Sequence, residues 1–269
     1  MAEEKASHEG DEFWRKVLTE GHRPLRIMHT LFRYLPSAPR CKGCHNPFGG
    51  IGGKVVGLLG FKPSRKNPNL CTACCDRLPR GGAEVDIAIL FADVRGSTAM
   101  GERLQPSAFA ALLNRFYNTA TEVLIRHDAI IDKLIGDEVM ALFIRGICGP
   151  DYHRRAVQAG AALLRAVGYG TSAPPWLEIG GAINSGLTYV GNVGGDVVDF
   201  TALGDTVNTA SRMASSAAAG EILLSEPMYE TVAGSLPGLA SRTLSLRGKD
   251  SPVQVRVLNS SDAINPVMR

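Results

Sequence analysis

Apolar positions from residue 84 onward follow two alternating periods, which predict strands and helices in turn. Short apolar runs predict strands at 85–92, 130–134, 139–143, 177–184, 187–193, 222–224, 241–246 and 253–258. Stripes with a 3.6-residue period predict helices that start at Pro106 and that cover 152–167, 205–217 and 227–233. The order strand–helix–strand–strand–helix–strand predicts an α+β fold of the ferredoxin-like, split βαβ type.

The N-terminal segment carries apolar stripes of its own. Residues 11–35 mix apolar and basic positions, and Pro24 shortly after Gly21 predicts two short helices rather than one. We expect these helices to pack on the body of the protein or on a second copy, in preference to lying on an anionic membrane.

The overall charge of +3 hides an asymmetry between two parts of the chain. Residues 1–82 hold 14 Lys/Arg and 7 Asp/Glu, a net charge of +7, whereas residues 83–269 hold 15 and 19, a net charge of −4. The change predicts two units with different roles. The predicted divisions are a helical segment at 1–40, a cysteine-rich module at 41–82, a larger domain at 83–260 and a tail at 261–269.

Signals for membrane insertion and export are absent from the sequence pattern. No apolar run approaches the roughly 20 residues of a membrane-spanning helix. The first residues lack the basic start and apolar centre of a signal peptide. We therefore expect no transmembrane segment and a cytoplasmic location.

Two Cys-x-x-Cys pairs form the strongest metal-binding pattern in the chain. Four thiolates at this spacing can surround one ion tetrahedrally, which predicts a zinc site. Its ligands would be Cys41, Cys44, Cys71 and Cys74. An iron–sulfur cluster is the alternative, with His45 or Cys75 able to replace one ligand. The spare Cys75 also leaves a redox-sensing role open.

Two features between the cysteine pairs resemble nucleotide-binding or nucleic-acid-binding segments. The glycines of 47–53 lack the Gly-Lys-Ser/Thr ending of a phosphate loop, so we expect an ordinary loop. The basic cluster at 62–68 has little aromatic interleaving, so we expect a solvated surface and no nucleic-acid partner.

Two aspartates follow strand-like runs about forty residues apart. Asp93 ends the apolar run that starts at residue 85, and small and hydroxyl residues follow it. Asp137 lies in a Gly-Asp turn between two predicted strands. Carboxylate oxygens are the ligands that Mg²⁺ prefers, and two carboxylates that meet in space can hold two ions around a reacting phosphorus. These residues predict a metal-dependent phosphate site.

With these motifs, residues 84–258 resemble the class III nucleotidyl cyclases, which form cyclic AMP or cyclic GMP. The resemblance implies that Asp93, Asp137 and the backbone carbonyl of Val94 hold two Mg²⁺ or Mn²⁺ ions in each active site. It also implies that a turn cradles the polyphosphate; the turn residues are Gly96, Ser97 and Thr98. Family members often carry Phe at the position of Ser97, a change that backbone binding would tolerate.

The same resemblance assigns the groups that contact the nucleotide. Lys133 and Thr201 would read the purine ring, and this pair favours ATP over GTP because guanylyl cyclases place a glutamate where Lys133 stands. Asn208 would orient the ribose, and Arg212, on the same helix face, would stabilise charge on the transferring phosphoryl group. Lys249 would contact the triphosphate. Asp132, Asp199 and Asp205 are interpreted as structural or solvated.

The sequence thus predicts an adenylate cyclase that converts ATP to 3′,5′-cyclic AMP and pyrophosphate. In this family the metal aspartates and the Asn/Arg pair come from different subunits, which implies a homodimer. A guanylate cyclase is disfavoured by Lys133. A non-catalytic binding module, with the cysteine module on nucleic acid, is disfavoured because the chain keeps Asp93, Asp137, Asn208 and Arg212.

Overall fold

The computed structural model describes residues 2–21, 27, 30–32, 40, 41, 44–64, 71–76, 81–194, 198–236, 238–249 and 251–262. Its helices are α1 (Ala2–Thr19), α2 (Gly50–Leu58), α3 (Thr72–Asp76), α4 (Ser97–Arg103), α5 (Pro106–Arg126), α6 (Arg145–Cys148), α7 (Tyr152–Ala166), α8 (Asp205–Ser216) and α9 (Glu226–Val232). Its strands are β1 (Gly81–Val94), β2 (Ile130–Ile135), β3 (Glu138–Ile144), β4 (Ile179–Gly194), β5 (Val198–Leu203), β6 (Ile222–Ser225), β7 (Ala240–Leu244) and β8 (Val253–Leu258).

All eight strands belong to one mixed sheet. The strand order is β2-β3-β1-β4-β6-β8-β7, and β5 pairs with the second half of β4. The pairing is antiparallel except between β4 and β6. The succession β1-α5-β2-β3-α7-β4 confirms the predicted α+β fold with a split βαβ core.

Strand β1 runs through the middle of the sheet and is apolar on both faces. Ile87, Ile89 and Phe91 belong to one core, while Ala88 and Leu90 belong to the core on the opposite face. Because both faces are covered, the strand shows a continuous apolar run instead of strict alternation. This burial fixes the strand and delivers its last residues to the edge of the sheet.

The structure corrects several predicted boundaries. β1 begins at Gly81, earlier than predicted, because Gly82 lets the backbone of β4 approach closely: a Cβ there would meet the Val190 carbonyl oxygen at 2.4 Å. The two strands predicted at 177–184 and 187–193 are one strand, β4, which continues through Gly186. Strand β5 was not predicted, since its polar residues interrupt the apolar pattern.

Each face of the sheet is covered by a different set of elements. Helices α5, α7 and α9 cover one face. Helices α1 and α8 and the cysteine module cover the other, where the Trp14 ring stacks on Phe200 with centroids 5.8 Å apart. Helix α1 is a single helix from Ala2, so the predicted start at residue 11 was wrong; most of the second predicted helix lies outside the described residues.

The cysteine module is folded against the sheet in its described parts. The glycines predicted as a loop at 47–53 instead start a helix, since α2 begins at Gly50. The four knuckle cysteines are buried in the same core as Ile130 of β2. None of the helices in the described ranges combines the length and hydropathy that a bilayer crossing needs.

Candidate functional site

Three carboxylates lie close together at the C-terminal end of β1, beside the turn between β2 and β3. Asp93 is the second-last residue of β1 and lies opposite Glu138 of β3 in the strand register. Asp137 occupies the turn, where Gly136 takes a positive φ of 60°. The Val94 N–H donates to the Asp137 carbonyl at 3.1 Å and holds the turn against the end of β1. The two aspartates predicted to be metal ligands are therefore neighbours.

Burial and mutual repulsion raise the pKa values of two carboxyl groups in this cluster. Burial raises the pKa of Asp93 to about 6, the Arg95 guanidinium opposes that rise, and the nearby Asp137 adds to it. Burial, followed by the charges of Asp93 and Asp137, raises the pKa of Glu138 to about 7. Half-buried carboxylates that repel one another are stabilised by a cation, so this donor set fits a divalent metal ion.

Arg95 supplies positive charge at this edge of the sheet. Its guanidinium forms an ion pair with the Asp93 carboxylate and donates to the Ala217 carbonyl oxygen at 3.1 Å. It thereby connects the carboxylates to the C-terminal end of α8. Neither Arg95 nor Glu138 was singled out from the sequence, although each lies within two residues of a predicted ligand.

The predicted polyphosphate turn follows directly. Gly96 takes a left-handed φ of 68°, and helix α4 starts at Ser97. The first N–H groups of a helix have no intrahelical acceptor, so the amides of Ser97 and Thr98 are placed to bind anionic oxygens. The turn lies immediately beside Asp93.

Of the two predicted base-reading residues, Thr201 contacts Asp132, the neighbour of Lys133 in β2. The Thr201 hydroxyl donates to the Asp132 carboxylate at 2.7 Å, and each residue is 4% exposed. Lys133 follows Asp132 at an irregularity in the β2–β3 register and lines a cavity of about 450 Å³. Asp199 and His45 line the same cavity, which therefore lies between β2, β5 and the cysteine module.

The remaining predicted site residues cluster around the first turns of α8. Asn208 is exposed and Arg212 is half-buried, one turn further along the helix. Lys249 forms an ion pair with Asp205, the first residue of α8, at 2.5 Å. Gly248 carries a positive φ of 73° and packs against the Arg212 guanidinium. Asn208, Arg212 and Lys249 thus form one set.

Within one chain, Asn208 lies at the end of α8 that is remote from the carboxylates. The Thr206 hydroxyl donates to the Leu187 carbonyl oxygen at 2.9 Å, and Leu187 lies opposite Asp86 of β1. Asp86 precedes Asp93 by seven residues, which corresponds to roughly 20 Å along a strand. Asn208, close to Thr206, therefore lies far from the carboxylate cluster of its own chain.

The four knuckle cysteines converge on one point. Their sulfur atoms all lie within 4.8 Å of one another, and the Sγ atoms of Cys44 and Cys71 are 3.7 Å apart. Four sulfurs at about 2.3 Å from a tetrahedral ion are about 3.8 Å apart, so the spacing suits a single ion. The Cys71 N–H donates to the Cys41 sulfur at 3.2 Å.

A bound cation would allow all four thiols to ionise, because it would offset the repulsion between the thiolates. Hydrogen bonds from neighbouring thiols, above all Cys41, lower the pKa of Cys71, whereas contact with Cys41 raises the pKa of Cys44 and Cys74. The neighbouring thiols therefore stabilise the Cys71 thiolate, and its negative charge disfavours ionisation of those thiols. His45 places Nε2 3.2 Å from the Ala129 carbonyl oxygen, directly before β2, and so links the module to the strand that carries Lys133.

The split βαβ sheet and the carboxylates at the end of its central strand agree with the comparison to known families. The family model of the adenylate and guanylate cyclase catalytic domain matches residues 83–257, and the chain belongs to this family. The resemblance to class III cyclases is thereby confirmed.

Relatives and solved structures of both specificities are similar to this chain. An adenylate cyclase of Anabaena cylindrica is 29% identical over 181 residues, which cover 63% of this chain and 36% of that protein. An uncharacterised protein of Mycobacterium tuberculosis is 27% identical over 185 residues, which cover 67% of this chain and 34% of that protein. The chain thus spans about a third of the length of the curated relatives it matches.

Two crystal structures share the fold over the same region. The guanylyl cyclase Cya2 superposes with a TM-score of 0.60 at 30% identity, covering 66% of this chain and 93% of that one. The adenylyl cyclase CyaB from P. aeruginosa gives a TM-score of 0.57 at 32% identity, covering 67% of this chain and 97% of that one.

Proposed function

We propose that the protein is an adenylate cyclase that forms 3′,5′-cyclic AMP and pyrophosphate from ATP at the interface of a homodimer. The observation that carries this proposal is the presence, on one chain, of two complementary sets of groups. One set is the carboxylate cluster around Asp93 and Asp137. The other is the cationic and amide set on α8 and the following turn.

The ribose 3′-hydroxyl attacks the α-phosphorus in line and gives up its proton to solvent water, the bond to the bridging oxygen breaks, and pyrophosphate leaves. Asp93, Asp137 and the Val94 carbonyl would hold two Mg²⁺ or Mn²⁺ ions, which supply Lewis acidity to the 3′-hydroxyl and the triphosphate when bound. The amides of Ser97 and Thr98 hold phosphate oxygens. No side-chain base is required by this assignment.

The groups on α8 act on the same substrate from the other subunit. Asn208 orients the ribose, and Arg212 stabilises the charge that develops on the transferring phosphoryl group. Lys249, which can exchange its partner Asp205 for phosphate oxygens, contacts the triphosphate. Asn208 lies at the end of α8 remote from Asp93 of its own chain, which favours catalysis across a two-fold dimer with two equivalent sites.

The hydrogen bond between Thr201 and Asp132 supports ATP over GTP. Because the hydroxyl proton of Thr201 is committed to the Asp132 carboxylate, the Thr201 oxygen is left as an acceptor. The adenine amino group is a donor, whereas guanine presents an acceptor at the same ring position. Lys133 can donate to adenine N1. Asp132, interpreted from sequence as structural or solvated, is therefore proposed to position Thr201.

The cysteine cluster is proposed to hold one zinc ion. The sulfur spacing suits a single tetrahedral ion, and an iron–sulfur cluster with several irons would hold the four sulfurs farther apart. His45 is bonded to the Ala129 carbonyl, so the four thiolates are the preferred ligands.

The decisive experiment measures product formation by the purified protein given ATP or GTP with Mn²⁺, resolved by chromatography. We expect cyclic AMP from ATP and much less cyclic GMP from GTP. Cyclic GMP as the main product would replace the proposal with a guanylate cyclase. Nucleotide binding without any cyclic product would identify a non-catalytic binding module.

Asp132→Asn is expected to reduce the preference for ATP over GTP about tenfold in kcat/KM, since one hydrogen bond of about 1.4 kcal/mol corresponds to that factor. The amide lets the Thr201 hydroxyl rotate and donate to guanine. Asp199→Asn, a change of equal charge in the same cavity, serves as the control. An equal change in the ATP-over-GTP preference in both variants would contradict a specific role for Asp132.

A further inference from the structure

Helix α2 of the cysteine module presents an apolar face to solvent. Ile51, Val55, Leu58 and Leu59 are 81%, 57%, 90% and 70% exposed. Val55 and Leu58, four and seven residues after Ile51, share its face of the helix, and Leu59 follows the last helical residue directly. The opposite side is buried through Val56. A concentration of large exposed apolar side chains of this kind marks an interaction surface.

The surrounding sequence carries only one sign of charge. Residues 21–75 contain no Asp or Glu and nine basic residues, which are Arg23, Arg26, Arg33, Arg40, Lys42, Lys54, Lys62, Arg65 and Lys66. Four thiolates around one divalent ion would contribute −2, which leaves a net charge of +7. Lys54 and Lys62 are exposed, one within α2 and one shortly after it. Lys54 therefore places positive charge beside the apolar face.

We infer that this α2 face (Ile51, Val55, Leu58 and Leu59 with Lys54 and Lys62) docks on a bilayer that contains anionic phospholipids. An amphipathic helix with apolar residues on one side and lysines at its border inserts at the lipid headgroup boundary, and anionic lipids attract the basic residues around it. A second copy of the chain is a poorer occupant, because pairing through this face would bring the exposed lysines Lys54 and Lys62 of one copy towards those of the other.

The cysteine cluster anchors the segment that carries helix α2. Helix α2 lies in the segment between Cys44 and Cys71, so both ends of that segment are anchored at the sulfur cluster. The same module contacts the chain just before β2 through His45. Docking would therefore place the catalytic domain at the membrane surface.

The test is co-flotation of the full-length protein with vesicles of phosphatidylcholine alone or with phosphatidylglycerol added. We expect at least about tenfold stronger binding to the anionic vesicles, and loss of that binding in the double variant Leu58→Ser/Leu59→Ser. Leu104→Ser, which changes an exposed leucine at the end of α4, should float like the unaltered protein. Thermal unfolding and ATP turnover of the double variant should be unchanged, which keeps this test separate from the proposed cyclase activity.

Any of four results would overturn the inference. Equal binding to neutral and anionic vesicles, or no binding to either, would exclude an anionic bilayer as the occupant. A smaller particle mass in solution for the double variant, with vesicle binding unaltered, would assign the α2 face to contact between copies. Binding that survives the double variant would place the lipid contact elsewhere.

Discussion

Asp93→Ala is expected to slow cyclic AMP formation about a thousandfold, because a loss of about 4 kcal/mol in stabilisation of phosphoryl charge corresponds to that factor. The fold should persist, since the change removes one of three crowded carboxylates whose repulsion and burial raise the pKa of Asp93 and Glu138. The measurement is the rate of product formation at saturating ATP and Mn²⁺. Asp151→Ala, which removes an exposed carboxylate paired with Arg154, is the matched control.

Mixing two inactive variants separates catalysis across the dimer from catalysis within one chain. Arg212→Ala should also be inactive alone. After Asp93→Ala and Arg212→Ala chains exchange subunits, half of the dimers are mixed and each mixed dimer has one intact site, so about one quarter of the original activity should return. A mixture that stays inactive would contradict the two-subunit site.

The second large effect, on stability, is expected from a change in the cysteine cluster. Cys44→Ser should remove the metal and lower the free energy of unfolding by about 4 kcal/mol, since loss of a structural metal belongs to the most destabilising changes. For a chain of this size we expect a fall of about 10 °C in the unfolding midpoint. The cost is large because the cluster is buried in the core that also contains Ile130 and Trp14.

Metal content by elemental analysis and the thermal midpoint together test this prediction. We expect about one zinc per chain in the unaltered protein. Cys148→Ser alters a buried cysteine outside the cluster and should keep the metal. Iron in place of zinc would revise the metal. Equal metal content and equal midpoints for Cys44→Ser and the unaltered protein would contradict a structural ion.

Much of the fold followed from local pattern. The buried run of β1, the helical stripe of α5 and the Gly-Asp turn between β2 and β3 are signals that lie within a few neighbouring residues. They were sufficient to predict the split βαβ order and to select Asp93 and Asp137. The same local reasoning missed β5, whose Asp199 and Thr201 interrupt the apolar pattern, and it missed α2, whose four glycines disfavour a helix.

The sequence by itself determined which residue types stand at strand ends, in turns and at knuckle spacing, because these patterns depend on chain geometry over short distances. Only the tertiary structure decided that Glu138 joins the carboxylates, that Asp132 binds the Thr201 hydroxyl and that α2 is left uncovered. Burial, charge repulsion and the direction of a hydrogen bond depend on which distant segments pack together. Asp132 and Thr201 are 69 residues apart in the chain, and the contact between β2 and β5 makes them partners.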